Sequence, residues 1–183
     1  MKPILQQAWR AATFDRRAFG EWIFSASANG DAALIVIGVA IVRWLTAVIQ
    51  RGGFSLDVVG LINEIISTLA SWVFLAVASW FAGTKLFGGV GDWQTVLRLQ
   101  GLAYLPNVLV VTVLLGGPFA AWAPAVGTVW YLAAAVVGTS VALSLKVRDA
   151  VLAVLIGAAI VVVIRTLLSG TFAGIGAAFQ SIN

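Results

Sequence analysis

The sequence predicts an all-α integral membrane protein with five transmembrane helices. Of its 183 residues, 61% are hydrophobic and 10% are charged, whereas soluble domains have roughly 45 to 50% and about 25%. The apolar residues form continuous runs of roughly 20, the length of a helix that crosses a bilayer. Such runs favour helices over a β-barrel, whose strands are alternating segments of about 10 residues.

Two residue types are missing from the sequence, and their absence reduces the range of functions that we expect. The chain has no Cys and no His, and His is the commonest metal ligand and general base near neutral pH. We therefore expect no enzymatic activity, no catalytic residues, no metal and no cofactor. The eleven Lys and Arg are scattered along the chain and form no basic stripe, so we expect no nucleic-acid partner. The expected partners are membrane lipids.

The N-terminal segment, 1–30, is predicted to be cytoplasmic and amphipathic. Apolar residues recur at helical spacing in two groups: Leu5, Ala8 and Trp9, then Phe19, Trp22 and Ile23. Arginines and a glutamate lie between them, as in a helix that lies on a membrane surface. A short disordered tail is the alternative.

The predicted membrane domain covers residues 31–169, and a tail of small and apolar residues, 170–183, follows it. The five expected spans are 32–50, 58–84, 101–115, 126–145 and 150–168. Residues 93–100 are expected to form a short amphipathic lead into the third span. Glycine, proline and charged residues mark the turns, which are expected at 51–53, 88–92, 116–124 and 146–149.

The distribution of positive charge predicts the orientation, because positively charged short loops stay in the cytoplasm. With the N-terminus inside, eight basic residues lie on the cytoplasmic side: Lys2, Arg10, Arg16, Arg17, Lys85, Arg98, Lys146 and Arg148. Only Arg51, Arg43 and Arg165 lie towards the other side. An odd number of spans then places the C-terminus outside.

Charged residues within the spans are costly and either pair or line functional cavities. Arg43 lies seven residues before the end of the first span, and Glu64 lies seven residues after Asp57. Both are then roughly 10 Å below the outer face. We predict an Arg43–Glu64 ion pair with Asn63 and Arg165 nearby, structural rather than catalytic; separate snorkelling of each side chain is the alternative.

Pro106 and Asn107 lie together within the third span. Proline removes a helical hydrogen bond, and an amide side chain can bridge neighbouring helices, so we predict a helix kink here. A substrate site at a broken helix, as in a transporter, is the alternative.

Small residues line the fourth and fifth spans. Gly138 lies eight residues before Lys146, and Gly157 lies eight residues after Asp149. We expect the two glycines to face each other at one depth across a tight hairpin. Contact between two copies of the chain is the alternative use of this ridge.

The glycine-rich segment Gly88-Gly89-Val90-Gly91-Asp92 lacks the Lys and Ser/Thr of a phosphate-binding P-loop, so we reject nucleotide binding. Together with its surroundings it resembles the Yip (Ypt-interacting protein) domain family. The resemblance is confined to a short part of the chain: Ala82–Trp93, then Val96-Leu97-Arg98, Gly101–Tyr104 and Pro106.

The resemblance implies five spans, a cytoplasmic N-terminus and a non-enzymatic role in membrane organisation or in interaction with other membrane proteins. Eukaryotic relatives are linked to prenylated Rab-type GTPases, but only the short segment 1–30 precedes the first span here, so a GTPase partner is doubtful. The Ala/Val/Gly-rich chain indicates a prokaryotic member, in the cell inner membrane. The alternative function is a small transporter or channel that uses the intramembrane polar cluster.

Overall fold

In the computed structural model of the chain, the described residues are 4–23, 28–52 and 57–180, and the side chains at 121, 165 and 167–180 are not described. Every regular element within these ranges is a helix. They are α1 (Ile4–Ala12), α2 (Arg16–Ile23), α3 (Ala28–Gln50), α4 (Val58–Lys85), α5 (Trp93–Leu102), a 3-10 helix (Leu105–Leu115), α6 (Gly117–Ala142) and α7 (Val147–Gln180).

Five helical segments are long and apolar enough to cross a membrane, which confirms the predicted number of spans. They are Ala28–Gln50, Val58–Lys85, Trp93–Leu115, Gly117–Ala142 and Val147–Ile164. The third begins at Trp93 rather than 101, because the expected amphipathic lead is packed inside the bundle. The fourth begins at Gly117 rather than 126, since Pro118 lies in the first turn, where no helical hydrogen bond is lost.

The bundle has two ends, named here after residues in their turns. The Gly88 end holds the α4–α5 and α6–α7 turns, and the Arg51 end holds the end of α3, the start of α4 and the start of α6. The third span lies differently in the two halves. Near the Gly88 end, α5 packs against α3, α4 and α6, whereas nearer the Arg51 end the 3-10 helix packs mainly against α3 and α6.

Close contacts hold α5 among its neighbours. A Cβ atom at Gly101 would lie 2.7 Å from the Ala32 Cβ and 2.8 Å from the Trp72 ring. The Trp72 indole N–H donates to the Leu97 carbonyl oxygen at 3.1 Å. The Gln100 amide N–H donates to the Thr139 hydroxyl at 3.1 Å. The Gly88 half of the third span is therefore the centre of the packed core.

The N-terminal segment forms two helices, not one, and its two apolar groups behave differently. Phe19 and Trp22 are buried in the core, whereas Leu5 and Trp9 are 69% and 58% exposed. The indole N–H of Trp130 donates to the Ala12 carbonyl at 2.6 Å, which ties the segment to α6. One group of the predicted membrane-facing residues is thus used for packing within the protein, and the surface location stays a prediction.

Charged side chains join α1 to α2. Arg10 lies 2.7 Å from an oxygen of Asp15 and 3.2 Å from one of Glu21. The hydrogen bond from Arg10 is the largest cause that lowers the pKa of Asp15 below its ordinary value. The turn between the two helices is therefore closed by an ionised carboxylate.

Candidate functional site

A cavity of about 330 Å³ lies within the bundle, and all five spans line it. Its walls include aromatic, polar and small residues, among them Arg43, Trp72, Asn107, Thr128, Tyr131 and Ala158. Cavities larger than a water molecule are few in well-packed proteins. Its wall combines charged and polar residues with apolar ones, and it is therefore the leading candidate for a functional site.

The third span changes from an α-helix to a 3-10 helix, and this change explains where the cavity lies. Within the bundle, α5 packs tightly up to Leu102, and the chain then turns at Ala103 and Tyr104 into the 3-10 helix. This helix packs closely against α6, since a Cβ atom at Gly127 would lie 2.7 Å from the Pro106 carbonyl oxygen. Tyr104 and Asn107, at the turn, both line the cavity.

Pro106 and Asn107 lie at the point where the helix type changes. Pro106 occupies the first turn of the 3-10 helix, where its missing N–H costs nothing. The Asn107 side-chain amide donates to the Tyr104 carbonyl at 3.3 Å, and its backbone N–H donates to the same oxygen at 3.1 Å. The predicted kink is a break between two helices, and the asparagine stabilises the first turn of the second.

Arg43 and Glu64 lie on consecutive helices, α3 and α4, and are brought together. The Arg43 Nε lies 2.9 Å from a carboxylate oxygen of Glu64, and both side chains are about one-third exposed. The same Glu64 oxygen accepts a hydrogen bond from the Thr68 hydroxyl at 3.2 Å. Arg43 also lines the cavity, so the ion pair lies at its wall.

The predicted polar cluster is otherwise smaller than expected. Asn63 is exposed, because it lies one residue before Glu64 and points to a different side of the helix. No hydrogen bond joins Asn63 to the ion pair in the described residues. The side chain of Arg165 lies outside the described residues. Thr68, a buried residue four positions after Glu64, was not predicted.

Two tyrosines at the cavity also escaped prediction. The Tyr104 and Tyr131 rings meet edge to face with their centroids 4.7 Å apart. Tyr131 is 5% exposed, and within the described part of the chain its hydroxyl has no hydrogen-bond partner. Buried tyrosine hydroxyls usually find a partner. A tyrosine in the middle of an apolar run was the available signal for this site.

The family-like loop is a packing element at the Gly88 end. Gly88 has a φ of +67°, which favours glycine. The backbone N–H of Gly89 donates to the Gly83 carbonyl at 2.9 Å, and that of Val90 donates to the Leu143 carbonyl at 3.0 Å. A Cβ atom at Gly91 would collide with the carbonyl oxygen of Ala142. The glycines thus allow the loop to lie directly on the end of α6.

Asp92 and Arg98 connect this loop to the neighbouring helices. The Asp92 carboxylate accepts hydrogen bonds from the Thr95 backbone N–H and hydroxyl, both at 2.7 Å, and so caps α5. Burial is the largest single influence and raises the pKa of Asp92, but the hydrogen bonds from Thr95 and Gln94 and the charge of Arg98 together lower it. The Arg98 Nε donates to the Asn29 side-chain oxygen at 2.6 Å.

The prediction that Gly138 and Gly157 face each other is wrong. Gly138 faces Leu99 of α5 and Phe19 of α2, whereas Gly157 faces Ser79 and Leu75 of α4. Distance from the turn sets the depth of a residue, but the side of the helix on which it lies is a separate variable. Each glycine allows a close helix contact, but with a different neighbour.

Among the described residues, no group of three or more Asp or Glu side chains could hold a metal ion. Comparisons with protein-family models, with curated proteins and with solved structures found no match. The candidate site is therefore defined by its geometry. An Arg43–Glu64 pair and a tyrosine hydroxyl that is unpartnered among the described residues lie at a cavity within five apolar helices.

Proposed function

We propose that this chain is a non-enzymatic, multi-pass protein of Yip type in a cell inner membrane, which acts in membrane organisation or binds other membrane proteins. The five spans support the membrane part of this proposal. In the proposed orientation the N-terminus and the Gly88 end face the cytoplasm, because eight of the eleven basic residues belong to the sequence segments that this orientation assigns to the cytoplasm. The C-terminus then lies outside.

The observation that carries the proposal is the arrangement of the family-like residues at the Gly88 end. The loop binds the end of α6 through Val90, and Arg98 binds the start of α3 through Asn29. Three separate parts of the chain are thereby joined into one surface. Apolar side chains remain exposed in or beside its turns: Leu86, Val90, Trp93 and Val147. Apolar side chains exposed at the turns of a bundle fit a protein or membrane contact.

Single cysteines test the orientation, since the chain contains none. Gln94→Cys places a thiol at the Gly88 end, and Arg51→Cys places one at the opposite end; both positions are exposed. A membrane-impermeant thiol reagent should label Arg51→Cys in intact spheroplasts and Gln94→Cys only in inverted vesicles. The reverse pattern would overturn the orientation.

Photo-crosslinking tests the interaction surface. A photoreactive residue at Val90, which is 79% exposed, should form a discrete protein adduct in native membranes. The matched control is Val59 at the Arg51 end, which is 78% exposed. Adducts of the same kind and yield from both positions would count against a specific surface at the Gly88 end.

The cavity favours a second candidate function, a small transporter or channel. Its polar wall contains Arg43, which is paired with Glu64, and intramembrane ionisable residues often mark substrate pathways. Solute flux in proteoliposomes tests this function. A flux that Glu64→Gln abolishes would support it, and equal flux in protein-free liposomes would exclude it for that solute.

A further inference from the structure

We propose that the cavity binds a single-chain amphiphile whose polar end is a small hydrogen-bond acceptor, a carboxyl group, and that this ligand enters from the bilayer between α6 and α7. The inference goes beyond the proposed function and does not rest on it. Three observations carry it: the unused hydrogen-bonding groups at the wall, the apolar volume beside them and the position of the opening.

The polar groups of the wall include unused donors. The Tyr131 hydroxyl is buried without a partner in the described part of the chain. The Arg43 guanidinium has five N–H donors. Its Nε lies 2.9 Å from a Glu64 carboxylate oxygen, and in the described part of the chain the other guanidinium nitrogens donate no hydrogen bond to a further residue. Both residues line the cavity, so the oxygen atoms of a bound ligand would meet these donors at its wall.

Other polar residues of the wall are already engaged with backbone carbonyls. The Thr128 hydroxyl donates to Pro124 at 3.0 Å, and the Ser71 hydroxyl donates to Ser67 at 2.6 Å. The Asn107 amide donates to the Tyr104 carbonyl at 3.3 Å, so the buried and charged donors that remain at the wall are those of Tyr131 and Arg43. Because Glu64 already balances the charge of Arg43, the wall suits a ligand that arrives uncharged, as a carboxylic acid does when it dissolves in a bilayer.

The rest of the cavity suits an apolar body. Besides the aromatic rings, Leu75, Leu132 and Ala158 line it. A cavity of about 150 Å³ holds a benzene molecule, so the volume of about 330 Å³ leaves room for roughly a dozen non-hydrogen atoms. A medium-length acyl chain is of this size.

The exposed residues of the cavity wall lie at mid-depth on α6 and α7. Thr128 and Val162 both line the cavity and are both exposed. Thr128 lies about four helical turns before the end of α6 at Ala142, and Val162 lies about four turns after the start of α7 at Val147. At a pitch of about 5.4 Å per turn, both are roughly 20 Å from the α6–α7 turn. A ligand at this depth comes from the hydrocarbon layer.

This depth selects the kind of lipid. The hydrocarbon core is about 30 Å thick, so the ester oxygens of a phospholipid, which stay near the headgroups, do not reach the middle of a span. A free fatty acid in its uncharged form crosses from one leaflet to the other, so its carboxyl group passes through this level. The geometry therefore favours a free acid over an acyl chain of a phospholipid.

Fluorescence quenching tests the proposal directly, because Trp72 lines the cavity. The full chain in nanodiscs is titrated with 10-bromodecanoic acid, and the Trp72 signal is the difference between the wild type and Trp72→Phe. We expect saturable quenching of this signal. Arg43→Gln should weaken binding about 10-fold or more and Tyr131→Phe several-fold, as expected for the loss of hydrogen bonds.

Two neighbouring alanines provide a matched control. Ala158 lines the cavity, whereas Ala159 is exposed on the outside of the same helix. Ala158→Leu should abolish the saturable quenching, and Ala159→Leu should leave it unchanged. If Arg43→Gln fails to fold, this pair and Tyr131→Phe still decide the outcome.

Three results would overturn the proposal. The first is the absence of saturable Trp72 quenching, as expected if the cavity holds only water. The second is equal binding by Ala158→Leu and Ala159→Leu. The third is saturable Trp72 quenching by a phospholipid with brominated chains, which would assign the cavity to bulk lipid instead of a free acid.

Discussion

The two halves of the third span differ in how completely the space around them is filled. At the Gly88 end, α5 lies among α3, α4 and α6, and Leu99, Gln100 and Leu102 have no exposed surface. Nearer the Arg51 end, the 3-10 helix borders a cavity of about 330 Å³. The comparison indicates a close-packed, rigid end and an open half that can accept a ligand.

Substitution of Gly91 should lower the stability of the protein the most, because Gly91 lies at the closely packed Gly88 end. A Cβ atom there would collide with the backbone carbonyl of Ala142, and backbone cannot move aside as a side chain can. We expect Gly91→Ala to destabilise the protein by about 2 to 3 kcal/mol. Unfolding in mixed micelles with increasing denaturing detergent measures the change.

Gly38 is the control for this experiment. It lies in α3 with no atom within 4 Å of the Cβ that an alanine would add, so Gly38→Ala should be neutral or stabilising by about 0.5 to 1 kcal/mol. Equal losses from the two substitutions would show that the Gly88 end is no more closely packed than an open helix surface.

Substitutions in the Arg43–Glu64 ion pair should give the next largest loss of stability. Arg43→Gln and Glu64→Gln should each cost about 1 to 2 kcal/mol, the size of a polar contact between helices in a bilayer, because each substitution leaves the other charge of the pair without its partner. The double variant should cost clearly less than the sum, which a double-mutant cycle measures. Additive losses would show that the pair contributes no interaction energy.

The cap of α5 should contribute about 1 kcal/mol, because Asp92→Ala removes the acceptor for the Thr95 N–H. The pKa of Asp92 in the folded protein lies below its ordinary value of 3.8. The stabilisation from its charge is therefore present above about pH 4 and is lost as the pH falls below that value. Asp92→Asn should remove this part of the acid dependence, and an unchanged dependence would contradict the assignment.

Tyr131→Phe should have the smallest effect on stability and so contrasts with Gly91→Ala. The hydroxyl has no partner within the described residues, so its removal leaves no other group unpaired. We expect a change within about 0.5 kcal/mol, of either sign, in the ligand-free protein. A loss as large as that of a broken buried hydrogen bond, about 1 to 3 kcal/mol, would mean that the hydroxyl is bound within the protein itself, and not free for a ligand.

Several features of the fold could be predicted because they depend on distance along the chain. The length of an apolar run sets whether it crosses the bilayer, and counting residues from a span end sets depth. Arg43 and Glu64, seven residues from their respective turns, were placed at one level by this count and lie 2.9 Å apart. Their charges also had a strong reason to pair, because hydrocarbon offers no alternative partner.

Features that depend on rotation about a helix axis could not be predicted in this way. Asn63 and Glu64 are neighbours in sequence but point to different sides of α4, so only one of them reaches Arg43. Gly138 and Gly157 lie near one depth but contact different helices. An apolar run has little hydrophobic asymmetry, and its sequence carries little information about which face meets which neighbour.

The sequence by itself determined that this protein is a set of five apolar helices with short polar turns, because composition and run length decide how a chain behaves in a bilayer. Only the tertiary structure decided that the third span changes helix type at Tyr104 and that a cavity opens beside Tyr131. The volume of a cavity depends on how five helices are rotated and tilted against one another, and packing between distant segments, not local sequence, sets those angles.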